Sequence, residues 1–273
     1  MYKGIITVII AISIIGCISF VNANTAFVGS SKELAQKAYF MLEESPFDND
    51  VFESSVMLIN NAAAKNKDEP WVYIALTEAT LLNGYNYGNF FSRKSYSQGT
   101  IEKAQKYADK AIVLGGSESQ SYANLARIYI IQKKYKKAWF ELNKAYQLNN
   151  ASFYTWYYKA VINYYMKDYT KAASHLDEAE PFRLHNYQKR FITRIRQKVA
   201  RAVGNKKLEE AMYLRNINDF PESAYMYGNY GNFLLKNKRY NESIEYYKKA
   251  IQINPYNLAK RQLEKAIKLS NGS

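Results

Sequence analysis

The same kinds of side chain return every 34 residues along the middle of this chain, and few folds accommodate such a repeat. Tyr122, Ala126, Tyr135, Ala138, Leu142 and Ala145 are followed at that distance by Trp156, Ala160, Tyr169, Ala172, Leu176 and Ala179. A step back from Ala138 and Ala145 lands on Ala104 and Ala111, so the register continues upstream. A period of this length holds two helices and their turns. Small residues at fixed points let two helix axes approach, and aromatic rings fill the space between successive pairs. No pair can bury its apolar side alone, so several must stack.

A further copy comprises Tyr227, Gly231, Leu234, Tyr240, Ser243, Tyr247, Ala250 and Pro255. Together these residues resemble the tetratricopeptide repeat family, with Ser243 standing where that family usually has Ala. The resemblance implies an all-α chain, a superhelical stack of helix-turn-helix hairpins. The clearest copies cover residues 119–182 and 222–257. Between them, 186–220 has the length for one degenerate pair. Upstream, Ser30-Ser31-Lys32-Glu33 reads as a capping box. It opens two helices, about 31–45 and 50–66, with Pro46 in the turn. Asp68-Glu69-Pro70-Trp71 reads as another helix start. The amphipathic tail after Asn257 should cap the stack. The expectation is a repeat domain over 31–270 with about six hairpins, a C-terminal capping helix and an inserted loop at 84–99.

The beginning of the chain is of another kind. Lys3 precedes an apolar run from Gly4 to Val21, and no acid appears before Glu33. This is the pattern of a secretory signal over residues 1–23. Three fates fit: cleavage after Ala23, lipid attachment at Cys17 in a sequence resembling a bacterial lipobox, or retention as a membrane anchor. Each puts the folded part outside the cytoplasm, periplasmic or membrane-associated.

Composition excludes several chemistries. Cys17 is the only cysteine, so no internal disulfide can form, and His175 and His185 are the only histidines, too few for a Cys/His metal cluster. Neither histidine has a recognisable triad context, and the adjacent acids Glu43-Glu44 and Glu209-Glu210 diverge on their helices. No cofactor, metal or catalytic residue is expected. The net charge of +14 fits either an acidic partner or a compositional bias, since Lys, Asn, Ile and Tyr are abundant together.

The resemblance implies that the first helices of successive hairpins line a concave groove for a protein or peptide partner. Groove residues would be Arg127 and Ile130, then Tyr154, Tyr157, Tyr164 and Tyr165, then Tyr225 and Asn232. Tyrosine offers broad rigid contact area with a polar tip, which suits such a surface. The rival reading packs these rings against neighbouring repeats. The insertion carries Tyr85, Tyr87, Phe90, Phe91 and Tyr96, rings costly to leave in water, and should fold back onto the helices. The segment Arg183 to Lys207 has nine Lys or Arg and no acid. It places Phe191, Ile192, Ile195, Val199 and Val203 on one face, with Arg190, Arg194, Lys198 and Arg201 as a stripe beside them. The stripe fits a solvated outer face. As an alternative function, it fits a peripheral membrane or polyanion-binding protein that meets an anionic membrane surface. Nucleic acid is the least expected partner of an exported chain.

Overall fold

The computed structural model describes residues 28–86, 88–183 and 186–272. The signal segment and Cys17 lie outside the described residues. Among the described residues thirteen α-helices follow one another: α1 (Ser31–Glu44), α2 (Asn49–Lys65), α3 (Pro70–Asn83), α4 (Thr100–Leu114), α5 (Ser119–Ile131), α6 (Tyr135–Leu148), α7 (Phe153–Tyr165), α8 (Tyr169–Ala179), α9 (Asn186–Ala202), α10 (Lys206–Asp219), α11 (Ala224–Lys236), α12 (Tyr240–Ile253) and α13 (Asn257–Asn271). Each odd-numbered helix up to α11 pairs with the next to form six hairpins, and α13 packs on α12. The all-α stack with its terminal capping helix therefore stands as expected from the repeat.

Local chemistry sets the boundaries. Glu33 N–H donates to Ser30 Oγ at 3.2 Å and Ser30 N–H to Glu33 Oε2 at 2.7 Å, which closes the capping box of α1. Pro70 opens α3, where its missing N–H leaves no donor unpaired. The turn inside the hairpin is itself a repeating device. Lys133, Lys167, Gly204 and Lys238 have φ between 61° and 72°, the left-handed conformation that ends a helix. The next amide donates back across that turn each time, Lys134 N–H to Tyr129 O at 2.8 Å and Asp168 N–H to Asn163 O at 2.9 Å.

The small residues of the repeat mark where helices cross. Ala104, Ala111, Ala126, Ala138, Ala145, Ala160, Ala172, Ala179 and Ala250 are all fully buried. At Gly231 an added Cβ would sit 3.0 Å from the Tyr247 ring, so α11 and α12 meet there closely enough that a side chain would have to press the ring aside.

Three helices depart from the one-sided burial of the rest; on α5 no residue is exposed, and Ala123 to Ile128 are all buried. All of α3 from Trp71 to Leu82 is buried, and α7 is buried from Phe153 to Asn163 except at Trp156. Successive odd-numbered helices pack together from α1 to α9, and α9 also reaches α1. The interior of that stretch is closed, and α7 lies within it. No helix among the described residues is long and apolar enough to cross a membrane.

Candidate functional site

The insertion between α3 and α4 decides what the concave side offers. It is ordered by its own bonds: Asn86 N–H donates to Ser95 O and Ser97 N–H to Gly84 O, both at 2.8 Å, around an antiparallel bridge between Tyr85 and Tyr96. The Tyr96 hydroxyl donates to Phe90 O at 2.8 Å, and Tyr85 stacks on Phe90 with centroids 4.5 Å apart. The hairpin so formed drives Phe91 against Tyr157 and Tyr158, at 6.2 and 6.0 Å between centroids. Asn89 Nδ2 donates to the Tyr165 hydroxyl at 2.7 Å. The aromatics of the insertion thus fold back onto the helices, as their cost in water requires.

The consequence corrects the groove expected over α5 and α7. Ile130, Tyr154 and Tyr157 are buried rather than open to a partner, with Phe91 of the insertion and Phe191 of α9 packed against Tyr157. Arg127 is buried too, where its guanidinium Nη1 donates to Glu78 Oε2 at 2.6 Å. Tyr164 is half-buried against Tyr165 and Tyr169, and Tyr165 stacks flat on Tyr135 at 5.9 Å. Asn232 accepts a hydrogen bond from the buried Tyr247 hydroxyl at 2.8 Å, so it belongs to the α11–α12 contact. Of the expected groove residues, Tyr225 is the one that stands out into solvent, 62% exposed.

What remains under the insertion is a small chamber of about 30 Å³ lined by Glu43, Glu78, Arg127, Tyr154, Tyr157 and Tyr158 among others. That is room for about one water and for no substrate. Burial, with Glu78 adding to it and a hydrogen bond from the Tyr39 hydroxyl opposing it, pushes the Glu43 carboxyl up to about 8. At neutral pH the chamber then holds one ion pair and one neutral acid. Burial also drives the hydroxyls of Tyr154, Tyr157 and Tyr158 well above the ordinary range, so they stay protonated.

Beyond α9 the concave side opens. Among the described residues the close packing of odd-numbered helices stops there, and a cleft of about 700 Å³ lies between α9, α11 and the insertion. Phe47, Tyr85 and Phe90 form one wall, Tyr225 and Met226 the other, and Arg190 and Arg194 project from α9 between them. The volume is of the size that ligand-binding clefts have.

The basic stripe of α9 is split by its neighbours. Arg201 Nη2 lies 2.7 Å from Glu209 Oε1 on α10 and is neutralised. Arg190, Arg194 and Lys198 sit instead over rings: Arg190 is 5.7 Å from Tyr187 and 5.4 Å from Phe220, Arg194 is 5.9 Å from Phe90, and Lys198 is 5.6 Å from Tyr164. Burial lowers Arg190 from its ordinary value and, with Arg194 and Arg201 nearby, brings Lys198 down to about 8. The apolar face of this helix is in the core, with Ile192, Ile195 and Val199 buried, so it is unavailable to a lipid surface. Val203 falls past the helix end and is exposed, which corrects its place on that face.

Residues 224–257 match the family model for the tetratricopeptide repeat, and residues 97–179 match that of anaphase-promoting complex, cyclosome, subunit 3. No curated protein matches the sequence. The chain resembles the Thermus thermophilus repeat protein TTC0263 at 14% identity and TM-score 0.56, over 74% of this chain and 99% of that one. It resembles Pseudomonas aeruginosa pilF at 18% identity and TM-score 0.56, over 74% of this chain and 86% of the other. Human IFIT1, solved as a dimer with PPP-AAAA, is similar at 17% identity and TM-score 0.60, over 87% of this chain and 53% of its own. These likenesses support the tetratricopeptide repeat family and its superhelical fold. Such folds generally mediate contacts between proteins, and their members are generally non-catalytic scaffolds.

Proposed function

We propose that this chain is an interaction scaffold of the bacterial cell envelope, holding a segment of a partner polypeptide in the cleft between α9, α11 and the insertion. One observation carries the reading. Among the described residues the concave side, the surface such folds use, is filled from α1 to α9 and open at this cleft, where Tyr225 and Phe47 stand exposed. Large rings at the rim of a concavity are the usual anchors of protein binding. The envelope setting rests on Lys3 and the apolar run to Val21. The rival reading, a peripheral membrane protein acting through α9, has less support because Ile192, Ile195 and Val199 already pack in the core.

A crosslinking pull-down from native envelopes tests the proposal. The variant Tyr225→Ala should lose partners that the wild type recovers, whereas equal recovery would remove the cleft as the binding surface. Labelling with radioactive palmitate, with and without Cys17→Ser, separates the lipidated form from the cleaved one. Incorporation into the wild type alone would establish the lipid.

A further inference from the structure

Charged groups half-removed from water normally meet a counter-charge, because desolvation disfavours an isolated ion. On α9 and its flanks the rule is met by four arginines. Arg196 pairs with Asp177 at 2.7 Å, and Glu180 receives Arg183 at 3.2 Å and Arg215 at 2.6 Å. Arg201 has Glu209. Of the remaining α9 cations, Arg190 and Arg194 line the cleft. Among the described residues no carboxylate lies within ion-pair distance of Arg190, Arg194 or Lys198, and the residues lining the cleft include no acid. Arg194 and Lys198 are half-buried and Arg190 is exposed, and the charges around Lys198 are other cations. Rings lie beside all three side chains, a contact that tolerates partial burial but does not neutralise charge, and Arg194 Nη2 also donates to the Gly88 carbonyl at 3.1 Å, a neutral partner that leaves its charge unpaired.

Position adds a scale. Arg190, Arg194 and Lys198 follow one another at four-residue steps of α9, so their backbones are about 6 Å apart along the axis. Alternate residues of an extended strand are about 6.7 Å apart and share one side. Carboxylates at every second position of an extended peptide would therefore keep step with these cations. The intervening side chains would face the apolar wall at Tyr225 and Met226.

Resting on the scaffold reading above, we infer that the partner segment is an extended acidic peptide, with carboxylates at alternate positions bound by Arg190 and Arg194 and its other side chains against Tyr225 and Met226.

Fluorescence anisotropy with a short labelled peptide of alternating glutamate and tyrosine provides the test. The wild type should bind it, and the same peptide with glutamine for glutamate should bind at least about tenfold more weakly. The double variant Arg190→Gln, Arg194→Gln should weaken binding by a similar factor, and affinity should fall as salt rises. Lys260→Gln with Arg261→Gln, on exposed positions of α13, should leave it unchanged. Circular dichroism and the melting temperature confirm that each variant is folded. A conservative pair, Arg190→Lys with Arg194→Lys, should retain part of the affinity. Failure of the wild type to bind, or equal binding by the glutamine double variant, overturns the inference. Tighter binding of oligothymidylate or phosphatidylglycerol vesicles, with displacement of the peptide, overturns it in favour of a phosphate ligand. If the pull-down depends on Tyr225 but is indifferent to the two arginines, the scaffold reading stands and the acidic segment falls.

Discussion

Glu43→Gln should make this protein more stable at pH 8 and nearly indifferent to pH. In the folded chain Glu43 lies fully buried beside Glu78, and its carboxyl titrates near 8, against an ordinary value of 4.5. In the unfolded chain it titrates near the ordinary value. Between those limits the unfolded state releases a proton that the folded state holds, so stability falls as pH rises through the window. Below the window the carboxyl is neutral in both states and the stability it allows is fully present. A gap of about 3.5 units at ~1.36 kcal/mol per unit sets an upper limit of about 5 kcal/mol on the loss. That is comparable to the whole stability of many domains. Glutamine has the same shape, keeps an oxygen to accept from the Tyr39 hydroxyl and has no charge to lose. The assay is urea unfolding at pH 5, 6.5 and 8, followed by tryptophan emission. Trp71 packs 5.8 Å from Tyr39 and reports on this end of the stack. The wild-type midpoint should fall across the series and that of Glu43→Gln should stay level, the two converging at pH 5. A wild-type midpoint that rises toward pH 8, or a variant weakened equally at every pH, would refute the reasoning.

Other perturbations probe separate parts of the account. Lys167→Gly should raise stability by about 0.5–1 kcal/mol, because the lysine holds a left-handed turn at φ 65° that glycine adopts freely; thermal melts against Lys167→Ala would show it. Gly231→Val should cost roughly 1–3 kcal/mol, since even its Cβ meets the Tyr247 ring at 3.0 Å; denaturant titration would reveal an unchanged midpoint if the close approach is absent. Phe91→Ala should cost about 3 kcal/mol and make the insertion the first site of limited proteolysis, because the ring is buried against Tyr157 and Tyr158. A cleavage pattern identical to wild type would argue that the ring does not hold the loop.

The stack itself was readable because its signals are local and repeated: alanines at a fixed spacing, a capping box, proline at a helix start. The open groove was misplaced because the family's pattern tells which helices line it but not what a long insertion does there. A warning was present in the helices concerned. The sequences of α3 (PWVYIALTEATLLN) and α7 (FYTWYYKAVINYY) have no polar face, and a helix that is apolar all round is buried. Tyr154 and Tyr157 could therefore have been assigned to packing. The stripe on α9 shows the other limit. Arg194 and Arg201 look alike in sequence, and only the α9–α10 hairpin, which brings Glu209 beside Arg201, separates a paired cation from an unpaired one. Asn232 likewise follows its own partner, Tyr247, which lies 15 residues on.

Hydrogen–deuterium exchange of the unmodified protein tests the central claim most directly, that the insertion seals the concave side from α1 to α9 and leaves the α9–α11 cleft open. The amides of Asn86, Ser95, Tyr96 and Ser97, hydrogen-bonded within the insertion, should exchange as slowly as those of α4 beside them. Exchange across 85–97 at the rate of an unfolded peptide, with α3 and α4 still protected, would contradict it: the loop would then be no seal, and Tyr157 would be within a partner's reach after all.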